Sequence, residues 1–249
     1  MSYEIAQNSI RGGRYEQEDC WFIHPENGKV FAAVCDGMGG RSHGQIASMA
    51  AAETMEQLYI SKTSEESFPG FFVKAIDILD EKVLSLKDSE GQRLSAGTTI
   101  LTVAIDGDNV FWLSVGDSRL YIIRNESIAC VTRDHNYFLS LNQMAECGAI
   151  DKDKYNDEAA KGERLISYIG MGGVLIFDVN ETPFKLLPND TVLLCTDGLY
   201  RAVSDDEILR LVSDRSPDES MRALMDESNK TFVDNATCII IKYTDGVKV

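Results

Sequence analysis

Thr98-Thr-Ile-Leu-Thr-Val-Ala-Ile105-Asp106-Gly-Asp-Asn109-Val110-Phe-Trp-Leu-Ser-Val115 holds two apolar runs parted by four turn-forming residues. Val, Ile, Thr, Phe and Trp suit a pleated, half-buried surface. Asp-Gly supplies the positive φ that a tight turn needs. The stretch therefore predicts strands Thr98–Ile105 and Val110–Val115 joined as a hairpin, with Asp106 a turn residue only. A hairpin makes its two strands antiparallel.

The same grammar extends outward. Leu120–Arg124 and Ile128–Val131 read as a second strand pair around Asn125-Glu126. Val30–Cys35, Thr191–Cys195 and Thr237–Tyr243 are further short apolar runs of strand length. Ile46–Leu58 is an Ala-rich helix, and Phe71–Leu86 carries apolar residues at Phe72, Ile76, Leu79, Val83 and Leu86. Tyr137–Glu146 reads as a short helix stopped by Gly148. Ser204-Asp-Asp-Glu207 and Ser216-Pro-Asp-Glu219 are capping boxes opening helices over Asp205–Ser213 and Pro217–Thr231. Strands come in groups and helices in pairs, with no regular βαβ alternation. That pattern favours antiparallel sheets covered by helices over a doubly wound parallel sheet.

Composition narrows the function. The 249 residues contain only 5 prolines and no linker-like tract, so residues 1–249 are expected to form one domain. A net charge of −16 without a basic stripe argues against nucleic acid and anionic lipid as partners. No apolar stretch approaches membrane-spanning length, and Met1-Ser-Tyr-Glu-Ile lacks the pattern of a signal peptide. A cytoplasmic location is the expectation. None of the six cysteines forms a C-x-x-C pair, so zinc is disfavoured and buried free thiols are expected. His24, His43 and His135 read as turn or helix-start residues.

The chemistry lies in the acids. Apolar runs lead straight into a carboxylate at Cys35-Asp36-Gly37, Val115-Gly116-Asp117 and Cys195-Thr196-Asp197-Gly198. Asp234 stands just before the last strand, and Glu18-Asp19 precede Cys20-Trp-Phe-Ile23. Carboxylates gathered in one place repel each other unless cations lie among them. All-oxygen donors favour Mg²⁺ or Mn²⁺. Other motifs fail. Gly37-Met-Gly39-Gly40 lacks the remaining glycine of a dinucleotide loop, and no Gly-Lys-Ser/Thr follows. Asp151–Asp157 has Asn156 where a calcium loop needs glycine, and reads as a solvated, mobile segment. Ser118 lies outside any nucleophile elbow.

Eight segments then occur in a meaningful order: Arg14-Tyr-Glu-Gln-Glu18-Asp19, Asp36-Gly-Met-Gly-Gly40, Ala96-Gly-Thr-Thr99, Gly116-Asp-Ser-Arg119, Thr132-Arg-Asp-His135, Leu165 to Gly170, Cys195-Thr-Asp-Gly198 and Asp234-Asn-Ala-Thr237. The set resembles the metal-dependent protein phosphatases of type 2C, in the compact form of bacterial members. The resemblance implies an α+β fold, a four-layer α-β-β-α sandwich of two mainly antiparallel sheets flanked by helices. It implies hydrolysis of phosphoserine and phosphothreonine in proteins, with kinase-phosphorylated proteins as partners and a metal-bridging water as nucleophile.

Carried over, Asp36 would bridge two Mn²⁺ or Mg²⁺ ions, with Asp197 and Asp234 completing one shell. Glu18 and the Gly37 carbonyl would serve the other, with Asp19 behind them. Asp117 and Asp197 would hold a weaker third ion, and Arg14 would grip the phosphoryl oxygens. Two departures stand out. Met38 replaces the histidine with which many eukaryotic members protonate the leaving group, and Arg201 replaces an acid near the third ion in some members. The segment near 149–164 corresponds to the family's variable flap. The competing readings are a catalytically weak, phosphoprotein-binding regulatory domain of the same fold and a hydrolase of small phosphate esters.

Overall fold

The computed structural model describes residues 2–40, 43–231 and 233–244. Its strands are β1 (Ser2–Ile10), β2 (Asp19–Glu26), β3 (Lys29–Met38), β4 (Gly97–Thr98), β5 (Ile100–Asp106), β6 (Asn109–Val115), β7 (Arg119–Arg124), β8 (Ser127–Cys130), β9 (Asp178–Val179), β10 (Phe184–Lys185), β11 (Thr191–Cys195) and β12 (Ala236–Thr244). Its helices are α1 (His43–Ser61), α2 (Phe68–Leu84), α3 (Tyr137–Glu146), α4 (Lys152–Glu158), α5 (Asp197–Tyr200), α6 (Asp205–Val212) and α7 (Pro217–Thr231). One sheet runs β1-β12-β11-β7-β8, and the other runs β10-β6-β5-β3-β2, with β4 on the end of β3 and β9 beside β6. Pairings are antiparallel in both.

Period-two side-chain alternation explains how four layers stack on these strands. In β3, Val30, Ala32 and Val34 face the other sheet, while Phe31, Ala33 and Cys35 face α1 and α2. In β12, Ile239, Ile241 and Tyr243 face inward between the sheets, while Cys238 and Ile240 join the core under α5, α6 and α7. Each central strand is therefore buried on both faces. This is why such strands read as continuous apolar runs rather than alternating ones. The helices cover the outer faces with Met55, Phe72 and Leu79 on one side and Ile208 and Leu224 on the other.

The expected hairpin closes at Gly107, φ +63°, between β5 and β6. Asn125, φ +53°, turns β7 into β8. The Ser216 box is reciprocal: Ser216 Oγ accepts from Glu219 N at 3.4 Å, and Glu219 Oε2 accepts from Ser216 N at 3.1 Å. Three readings need correction. Asp36 is not at a strand end, because β3 continues to Met38 by pairing Gly37 with Thr98 and Met38 with Gly97. Residues 152–158 form a helix rather than an irregular loop. Asp151 caps it by accepting from Lys154 N at 2.8 Å, and Lys154–Glu158 supports it as an i,i+4 pair. That helix buries no residue, so the solvated part of the reading holds. The long first strand β1 was not anticipated.

Leu101 is fully buried on the inter-sheet face of β5. Leu101→Ala should cost about 2–5 kcal/mol of unfolding free energy, measured by urea denaturation.

Candidate metal centre

A cleft of about 710 Å³ is lined by Arg14, Glu18, Asp36, Gly37, Asp117, Asp197 and Asp234, among others. These residues come from five separate regions of the chain. Backbone anchoring explains how they converge. Asp36 N donates to Thr99 Oγ1 at 2.9 Å, and Asp36 O accepts from both Thr98 Oγ1 and Thr99 N at 2.9 Å. Thr99 in turn bonds Ser118 at 2.9 Å, next to Asp117. Gly37 has no room for a side chain, since a Cβ there would stand 2.2 Å from Gly44 O and 2.5 Å from Glu18 O. Gly37 N donates to Glu18 O at 3.2 Å, drawing the start of β2 against β3.

Asn235 holds the Arg14–Glu18 loop. Its Oδ1 accepts from Glu18 N at 2.8 Å, and its Nδ2 donates to Arg11 O at 2.8 Å and Glu16 O at 3.0 Å. Asp197 is the first residue of α5, where the helix N-terminus favours a carboxylate. Asp19 does not line the cleft. It is buried behind it, with Oδ2 accepting from Thr196 Oγ1 at 2.8 Å and Thr237 Oγ1 at 2.7 Å. Thr196 follows β11 and Thr237 lies within β12, so Asp19 ties the two sheets together at the site. Its Oδ1 has no partner among the described residues.

Burial and mutual repulsion shape the electrostatics. Burial, then the charges of Asp19, Asp197 and Asp117, push the Asp36 carboxyl well above the usual carboxylate range. Burial and Asp234 raise Asp197, against the pull of Arg201. Asp19 and Asp117 are each pushed up to about 7, chiefly by burial. Glu18 is raised by burial, opposed by Arg14 and the Gly44 N–H. Burial and the neighbouring acids favour protonation of both Asp36 and Asp197. The remaining charge meets arginines. Arg14 Nη2 donates to Asp234 Oδ2 at 2.7 Å. Arg201 Nη2 lies 3.2 Å from Asp197 Oδ2, 3.6 Å from Asp117 Oδ2 and 2.5 Å from Glu163 Oε2. Two guanidinium groups thus offset part of the acids' charge. Among the described residues, no three His, Cys, Asp or Glu side chains already have metal-holding geometry.

Two residue readings change. His135 is fully buried, with Nδ1 accepting from Gly116 N at 3.1 Å and Nε2 3.6 Å from Asp178. It fixes the Gly116-Asp117 turn from behind, a role beyond that of a helix-start residue. His24 lies within β2 rather than in a turn, while His43 does open α1. Cys35, Cys195 and Cys238 are buried as expected, but Cys130 and Cys147 are exposed. Neither Thr99 nor Asn235 stood out as a site residue in the sequence, and Glu163 carried no signal of its own.

Comparison with known proteins places the chain in a family. A sequence model of protein phosphatase 2C matches residues 7–236. The chain belongs to the protein phosphatase 2C family. The serine/threonine phosphatase stp of Listeria welshimeri is 26% identical over 240 residues, covering 94% of this chain and 90% of that protein. The solved Streptococcus agalactiae serine/threonine phosphatase superposes with a TM-score of 0.81 at 22% identity, covering 98% of this chain and 100% of the other. The catalytic domain of the serine/threonine protein phosphatase PstP, solved in complex with two manganese ions, gives a TM-score of 0.73 at 23% identity, covering 98% and 99%. These structural likenesses establish the sandwich of two antiparallel sheets as the family fold.

A carboxyl whose pKa is raised on folding binds more protons folded than unfolded between the two values, so its contribution to stability is lost as pH rises. For Asp117, that window runs from its ordinary value of 3.8 to about 7. In chelator, Asp117→Asn should therefore gain thermal stability relative to the parent as pH rises from about 5 to about 7.5. A stability difference that is flat across that range would contradict the assigned environment.

Proposed function

We propose that this 2C-family chain is a metal-dependent serine/threonine protein phosphatase. The observation that carries the reading is the convergence of Asp36, Asp197, Glu18, Asp234 and Asp117 on one cleft, with Arg14 at the rim. The donors fit hard divalent ions: they are all oxygen, and too many carboxylates are buried together for the cleft to be comfortable without added positive charge. Asp36, Asp197, Asp234, Glu18 and the Gly37 carbonyl would together hold two Mn²⁺ or Mg²⁺ ions. Asp19 would orient the site through Thr196 and Thr237. A third ion on Asp117 and Asp197 would have to share them with Arg201, whose guanidinium already lies between them.

When bound, a pair of such ions would supply positive charge at the phosphoryl group and lower the pKa of an attacking water. The chain's own part is positional. Asp36 must surrender its proton to act as a ligand. Arg14 must turn from Asp234 to the phosphate, and its half-exposed side chain leaves it free to do so. Met38 has no proton to give, so the leaving group must take its proton from water or from elsewhere in the complex. This favours aryl over alkyl phosphates.

The substrates of this reading are proteins phosphorylated by serine/threonine kinases. No helix of the described residues is long and apolar enough to cross a membrane. The six cysteines are free thiols, which supports a reducing, cytoplasmic setting.

The test is phosphate release from a phosphothreonine peptide with Mn²⁺. Asp36→Asn and Asp197→Asn should each lose at least about a hundredfold in rate, and chelator should abolish turnover. Phosphopeptide binding without release would instead favour a regulatory domain, and wild-type rates from either variant would sink the assignment.

A further inference from the structure

Arg201 and Glu163 each line two cavities: the acid cleft of about 710 Å³ and a neighbouring cavity of about 500 Å³. Their ion pair, Nη2 to Oε2 at 2.5 Å, lies in the wall between the two. The second cavity is also lined by Arg119, Asp134, Phe138 and Tyr200. Part of its wall is rigid. Arg119 forks onto Asp134 at 2.9 and 2.7 Å and stacks 3.7 Å above the Tyr200 ring. The opposite wall comes from α3 and the segment that follows α4.

That segment is fastened unevenly. Its base is tied to the start of α3 by Tyr137 N to Arg164 O at 2.8 Å and Phe138 N to Gly162 O at 2.9 Å. Further out, α4 buries nothing, and its Tyr155 hydroxyl reaches only Asn142 on α3, at 2.8 Å. Glu163 alone among these residues pairs with a cation of the acid cluster. Of the three carboxylates around Arg201, Asp117 is buried and the Asp197 side chain 15% exposed, whereas the Glu163 side chain is 63% exposed. Glu163 is therefore the exchangeable partner. It can leave into water at little cost, while Arg201 keeps two less exposed counter-charges, Asp117 and Asp197.

We propose that the Arg201–Glu163 pair is a latch that selects substrates: closed, it holds the 149–165 segment against the acid cluster and separates the two cavities. Open, it joins them, and the second cavity receives a side chain next to the phosphorylated residue of a peptide. A small aryl phosphate needs only the first cleft and is indifferent to the latch. The selection step rests on the phosphatase reading above, whereas the fastening of the segment does not.

Two measurements on Glu163→Gln separate these parts. The substitution removes the charge, keeps the size and lies on an exposed side chain, so folding is undisturbed. Backbone hydrogen–deuterium exchange over residues 149–165 in metal-free protein should rise about three- to fivefold, and about 1 M NaCl should bring the parent to the same level. Unchanged exchange overturns the latch, whether or not the protein is a phosphatase. In Mn²⁺, KM for a phosphothreonine peptide should fall by a similar factor of about three to five, with kcat for the peptide and both constants for an aryl phosphate unchanged. Equal effects on peptide and aryl phosphate overturn the selection role while leaving the phosphatase reading intact.

Discussion

The structure depends on one constraint: carboxylates that water would prefer to keep apart are buried together where the two sheets meet. Asp36 comes from one sheet, Asp197 follows a strand of the other, and Asp19 bridges the two through Thr196 and Thr237. Burying such charges is costly, and the fold offsets the cost locally with two arginines and threonine hydroxyls. A site held this way is ready to exchange its protons and its arginines for stronger positive charge. The hydrophobic layers on either side supply the stability that lets the acids remain so placed.

Much of the fold was legible because burial on both faces leaves an unmistakable mark. Val30–Cys35 and Thr191–Cys195 are continuous apolar runs since one face meets a sheet and the other meets helices. β1 was illegible for the complementary reason. It is an edge strand whose residues, all but Ala6, are exposed or half-buried, and its pairing along the whole of β12 is specified by backbone rather than by an apolar pattern. The extension of β3 through Asp36 was hidden by Gly37, which reads as a turn residue but is required by the close approach of Gly44 and Glu18.

The site was legible as a set of acids, and less so as an arrangement. Strand-to-acid junctions and the order of the family motifs named the residues now lining the cleft. The adjacent acids Glu18 and Asp19 could not be told apart by local pattern, and only the family resemblance put Asp19 behind the cleft. The partners that act at a distance left no local trace. Glu163 and Arg201 are ordinary charged residues until the fold brings them together. Asp80, which accepts from Gly170 N and Gly173 N at 2.6 Å, likewise reads as one more polar position of α2 although it organises a remote loop.

The central claim is that the acids gathered around Asp36 and Asp197, whose burial raises their proton affinity, form a cation site. Calorimetric titration of the metal-free protein with Mn²⁺, repeated near pH 7 in buffers of different ionisation enthalpy, measures both affinity and protons released. The account predicts tight binding with net proton release, and a marked loss of both in Asp36→Asn. Binding with no proton release, or binding unchanged in Asp36→Asn, would contradict it.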